Sequence, residues 1–221
     1  MGAGVVAQAS RRAGAPVIHL STDFVLSGRG EGDHSEADVT EPLSVYGRSK
    51  LEGERQVAQG NPRHVILRTA WVYSPFGRNF MKTMLKLASE RDVIKVVSDQ
   101  RGNPTAAADI AEGVLRVAFR ISGKADTPPY GIFHMSGEGD TSWAGFAKQI
   151  FLESERVGGP SANVEEISSA EFPTKAVRPA NSRLSCAKLL DAYGWRPPSW
   201  RTSTAAVVAR LVASTDVPAA R

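Results

Sequence analysis

The chain has 221 residues, enough for one substantial core or for one core with a small appended lobe. Its 42% hydrophobic and 23% charged residues are ordinary for a globular protein, and no apolar run approaches the roughly 20 residues of a membrane helix. The net charge of +4 is dispersed among acids (Glu52 and Glu54 with Arg48 and Arg55, Glu90 with Arg91), which argues against a nucleic-acid footprint and suits an anionic small ligand.

In chain order, residues 3–13 form an amphipathic helix closed by Gly14, and Pro16 leads into the short apolar strand 17–20. Residues 28–40, rich in Gly, Asp and Glu, read as a surface loop, and 46–59 as a helix ended by Gly60-Asn61-Pro62. A β-rich run covers 65–73, a helix 79–90, a strand 93–97 and a helix 109–120. Residues 131–135 follow as a strand, and Thr141 or Ser142 caps a helix to about 155. This alternation predicts an α/β fold with a parallel sheet and helices on its faces.

From Gly158 the texture changes to a short strand at 164–167, a loop punctuated by Pro173 and Pro179, a helix 186–192 stopped by Gly194, and a last helix 202–213 before a tail with Pro218. The expected division is 1–157, holding the main sheet, and 158–221, a smaller ligand-covering lobe. Cys186 is the sole cysteine, so no intrachain disulfide forms, and a cytoplasmic location is expected in the absence of a signal pattern.

The chemistry concentrates at Tyr46-Gly47-Arg48-Ser49-Lys50, a Tyr-x-x-x-Lys at the start of a helix. Positions four apart share a helix face, so the Lys50 ammonium can stand beside the Tyr46 phenol and steady its anion. A hydroxyl from Ser21 or Thr22, at the end of the preceding apolar strand, can hold a carbonyl oxygen that Tyr46 protonates. Tyr-x-x-x-Lys alone is a common surface pairing; the Ser-Thr-Asp element upstream gives it weight. His19, His34, His64 and His134 show no ligand spacing, and no metal site is expected.

Five blocks carry a resemblance: residues 21–28 (STDFVLSG), 42–54 (PLSVYGRSKLEGE), 68–73 (RTAWVY), 99–105 (DQRGNPT) and 178–184 (RPANSRL). In order and spacing they resemble the dTDP-4-dehydrorhamnose reductases, extended short-chain dehydrogenases/reductases, over about residues 17–212. The resemblance implies a Rossmann-like doubly wound parallel sheet and a smaller substrate-binding lobe. It also implies NADPH-dependent reduction of the C4 ketone of dTDP-4-dehydro-L-rhamnose, with NADH as the alternative nicotinamide and a homodimer as a compatible assembly.

Position by position, Thr22 with Ser21 beside it matches the hydroxyl on the substrate carbonyl. Tyr46 matches the general acid, and Lys50 the residue that supports it and holds the nicotinamide ribose. Asp23 and Phe24 match an Asp-Tyr beside the sugar, where Phe24 lacks the usual phenol hydroxyl. Trp71 matches a substrate-facing aromatic, and Arg178 with Asn181 the loop over the sugar nucleotide.

Such reductases open with a strand, a glycine-rich turn and a helix that seat the cofactor pyrophosphate. Gly2-Ala3-Gly4-Val5-Val6-Ala7 fits G-x-G-x-x-A, but no strand precedes it and no acid follows at the required distance, so it reads as a decoy. The expectation is therefore the catalytic and substrate half of a reductase, truncated at its N-terminus. The alternatives are a non-catalytic scaffold similar to the regulatory subunit of methionine adenosyltransferase, and a reductase of another dTDP-4-keto-6-deoxy sugar.

Overall fold

Helix and strand alternate along the chain in the computed structural model, which describes residues 2–123, 129–172 and 178–214. The elements are α1 (Gly2–Arg12), β1 (Val17–Thr22), α2 (Val45–Gly60), β2 (His64–Thr69), β3 (Val72–Tyr73), α3 (Phe80–Ala88), β4 (Val93–Val97), β5 (Arg101–Gly102), β6 (Thr105–Ala106) and α4 (Ala107–Ser122). They continue with β7 (Gly131–His134), β8 (Thr141–Ser142), α5 (Trp143–Arg156), β9 (Asn163–Ile167), β10 (Asn181–Ser182), α6 (Ala187–Tyr193) and α7 (Trp200–Ala213). The expected loop at Pro173 and tail at Pro218 lie outside the described residues.

Two compact units share the chain: Met1–Ala70 with Ile110–Ser136 and Ala176–Pro197, and Trp71–Asp109 with Gly137–Lys175 and Pro198–Arg221. In the first, β1, β2 and β7 lie side by side, all parallel, with β2 in the middle. A middle strand is covered on both faces, so its residues alternate between two cores. Val65 and Leu67 pack with Ile110, Val117, Phe133 and Leu189, whereas Ile66 packs with Ala7 and Val57. Asn61 caps α2, and its amide donates to Ser10 Oγ at 3.1 Å and Ala15 O at 3.0 Å, tying the exit of α2 to the connection between α1 and β1.

In the second unit β4 and β9 pair in parallel from Val93↔Asn163 to Val97↔Ile167. The short β3 pairs in parallel with β6, and β5 antiparallel with β8. Met81, Leu85, Ile94, Val96, Phe146, Ile150, Trp200 and Leu211 form its core. Side-chain caps set the helix starts: Asn79 accepts from Lys82 N for α3, and Ser142 from Gly145 N for α5.

The β-rich run at 65–73 is two strands rather than one. β2 stops at Thr69, and Trp71 takes φ 46°, a left-handed backbone costly for a bulky residue, before β3 begins.

Candidate active site

The strand β1 ends in the buried polar residues Ser21 and Thr22, and the buried Asp23 follows directly. Thr22 is still extended, at φ −146° and ψ 154°, and caps a single 3-10 turn over Asp23–Val25. Its Oγ1 accepts from Phe24 N at 3.3 Å and donates to Asp23 Oδ1 at 3.0 Å. Burial pushes the Asp23 carboxyl from 3.8 up to about 6, although the Ser182 and Thr22 hydroxyls favour its ionised form. Asp23 is thus a buried carboxyl held toward its neutral form, next to the Thr22 hydroxyl.

Helix α2 opens beside this turn. Ser44 caps it by accepting from Gly47 N at 3.1 Å. The Tyr46 ring meets Phe24 edge-on, with centroids 5.7 Å apart, and Tyr46 is 54% exposed. One turn later the Lys50 Nζ donates to Leu20 O at 2.6 Å, so the ammonium rests on the backbone of β1. Between them, Gly47 lies against the Phe24 carbonyl. The structure therefore brings Thr22, Asp23, Phe24, Tyr46 and Lys50 together at the end of β1.

Ser21 is committed elsewhere: its hydroxyl donates to Glu54 Oε1. Asn181, read from sequence as part of a ligand loop, is buried and holds the glycine-rich loop, its amide donating to Gly30 O at 3.2 Å and Gly32 O at 2.9 Å. Its Oδ1 accepts from the Arg183 backbone and guanidinium. Arg178 is exposed.

Trp71 belongs to the second unit. Its ring stacks on Trp143 with centroids 3.6 Å apart and planes 8° from parallel, and its carbonyl accepts from Thr105 N at 3.1 Å. Phe80 also packs on Trp143, with centroids 4.7 Å apart and planes tilted by 51°.

One reading of the charges needs correction. Glu54 is not one of the dispersed surface acids: it is 2% exposed and takes Arg68 in a two-point pair, Nε to Oε1 at 3.0 Å and Nη2 to Oε2 at 2.8 Å. Glu52, by contrast, does meet Arg55 on the surface. The signal was present in the sequence, since Glu54 falls in the stripe of Gly47, Leu51 and Val57 that α2 buries, and Arg68 interrupts an apolar run.

A family described as RmlD substrate binding domain matches residues 1–213. A dTDP-4-dehydrorhamnose reductase of Sinorhizobium fredii is 50% identical over 211 residues, covering 96% of this chain and 71% of that protein. The chain belongs to the dTDP-4-dehydrorhamnose reductase family. Two solved structures of that description agree. One, from Clostridium acetobutylicum, has a TM-score of 0.86 and 37% identity, covering 95% of this chain and 71% of its own. The other, from Bacillus anthracis in complex with NADP, has 0.84 and 35%, covering 93% and 69%.

The residues present fit the nicotinamide end of such a cofactor. The Tyr46 phenol is open to solvent, and the Lys50 ammonium has three donors, of which Leu20 takes one. Gly2–Ala7 does not form a glycine-rich turn, because it lies within α1. Among the described residues no three His, Cys, Asp or Glu side chains are grouped to hold a metal ion, and no helix is long and apolar enough to cross a membrane.

Proposed function

We propose that this protein reduces the C4 ketone of dTDP-4-dehydro-L-rhamnose to give dTDP-L-rhamnose, with Thr22, Tyr46 and Lys50 as its catalytic residues. The observation that carries the reading is the seating of α2 on the end of β1, where Gly47 lies against Phe24 O and Lys50 binds Leu20 O. That contact supports the reading, because it seats the start of the helix that carries the solvent-open Tyr46 on the turn that Thr22 caps.

NADPH, when bound, supplies the hydride that reduces the sugar C4. The chain's own residues handle the oxygen. Thr22 Oγ1–H turns from Asp23 to the substrate carbonyl oxygen, and the Tyr46 phenol gives its proton to that oxygen as the carbon is reduced, so a ketone becomes an alcohol. Lys50 steadies the phenolate that remains and binds the nicotinamide ribose. Asp23 and Phe24 line the sugar side, and the exposed Arg178 contributes to holding the nucleotide sugar. A cytoplasmic location belongs to the same reading, since the lone Cys186 offers no disulfide.

The test is NADPH consumption by the purified protein with dTDP-4-dehydro-L-rhamnose and with other dTDP-4-keto-6-deoxy sugars, the products being separated and identified. Formation of dTDP-L-rhamnose as the preferred product supports the reading. Preference for another 4-keto sugar overturns the substrate, and no consumption with any of them overturns the reaction.

A further inference from the structure

We infer that the buried Glu54–Arg68 pair, with Ser21, is a positioning device for the catalytic groups rather than a source of stability; this rests on the function proposed above. Three elements meet in it. Glu54 is on the buried face of α2, one turn beyond Lys50 and two beyond Tyr46. Arg68 is in β2, and Ser21, its register partner across the parallel ladder, is in β1 immediately before Thr22. The carboxylate of Glu54 accepts from the Ser21 hydroxyl and from two nitrogens of Arg68. A single carboxylate thus ties the helix that carries the phenol and ammonium to the strand that carries the hydroxyl.

The rigidity comes from the chemistry of the three groups. A guanidinium forked on a carboxylate is planar and fixes distance and angle together, which a lysine or a lone hydrogen bond does not. Both residues are 2% exposed, so solvent neither screens nor replaces the contact. Stability alone is a poor explanation for such a pair, because the desolvation of two buried ions offsets most of their attraction. Among the described residues the buried Arg68 Nη1 has in addition no hydrogen-bond partner, an unfavourable arrangement for a group present only to strengthen the core. What the pair supplies is the register of α2 on β1. A catalytic group displaced by about 1 Å loses about 10²-fold in rate.

Two variants of the full natural protein separate positioning from stability. Glu54→Gln preserves shape and one acceptor but removes the charge. The double variant Glu54→Leu with Arg68→Met removes both ions and restores an apolar core of similar volume. The account predicts that the double variant unfolds near the wild-type temperature while kcat falls about 10²-fold with KM little changed. Amide exchange at Phe24 and Gly47, which mark the turn and the start of α2 and need no substrate, is predicted to speed up in both variants. Wild-type kcat and exchange in a folded Glu54→Gln or double variant would overturn the inference. If the double variant does not fold, Glu54→Gln decides by the same two readouts. Absence of turnover in the wild-type protein refutes the proposed function instead, and exchange at Phe24 and Gly47 still decides the inference.

Discussion

Gly47 and Phe24 touch backbone to backbone: a Cβ placed on Gly47 would lie 2.2 Å from the Phe24 carbonyl oxygen and 2.9 Å from Pro42 Cβ. The obstacle is backbone, which cannot swing aside, so the residue after Tyr46 has no room for a side chain. Gly47→Ala is therefore expected to push the first turn of α2 off the Thr22 turn. We expect a loss of about 1–3 kcal/mol in stability and a larger proportional loss of turnover. Denaturant unfolding and kcat of the same preparation check this; wild-type values for both would show that the contact does not set the site.

Asp23 gives a pH dependence with a defined sign. Its carboxyl stands at about 6 in the folded protein against an ordinary 3.8, chiefly through burial, so the native state holds this proton more tightly than the unfolded chain. Its stabilising contribution is full below about pH 3.8 and is lost as pH rises through about 6. The rise corresponds to about 3 kcal/mol at most. Asp23→Asn stays neutral throughout, so its stability relative to wild type should climb across that window and level off above it. Parallel unfolding curves across that range would contradict the assignment.

Trp71 is wedged between Trp143 and Gly102, where a Cβ would lie 2.5 Å from the indole Cε2. The stacked partner leaves the ring no retreat, and its backbone is already in the left-handed region. Gly102→Ala should break the Trp71–Trp143 stack at a cost of about 1–3 kcal/mol. The coupled indole signal in circular dichroism should disappear with it; an unchanged signal would mean that the stack tolerates the methyl.

The helices and longer strands were legible because their apolar spacing and caps are local: β4 occupies the predicted 93–97, and Ser142 caps α5 as one of the two expected residues. The break at Trp71 was not, since β-branched and aromatic residues flank it on both sides and the left-handed turn carries no glycine to announce it. At the site, Tyr46, Lys50 and Thr22 could be picked out by residue type and order. The burial of Glu54 was legible only in its spacing with Gly47, Leu51 and Val57; its pairing with Arg68 was not, because no local pattern on α2 points to a partner on β2. The tie of Asn181 to Gly30 and Gly32 spans about 150 residues of sequence, and no local pattern encodes it.

The most direct test of the account is the rate of NADPH oxidation with dTDP-4-dehydro-L-rhamnose for wild type and Tyr46→Phe, with retained cofactor binding checked by nicotinamide fluorescence. Loss of the phenol hydroxyl removes the proton donor and leaves the ring against Phe24 intact. The account predicts that kcat falls by about 10²–10⁴-fold in a folded, cofactor-binding variant. Turnover equal to wild type would contradict the role of Tyr46 and with it the mechanism.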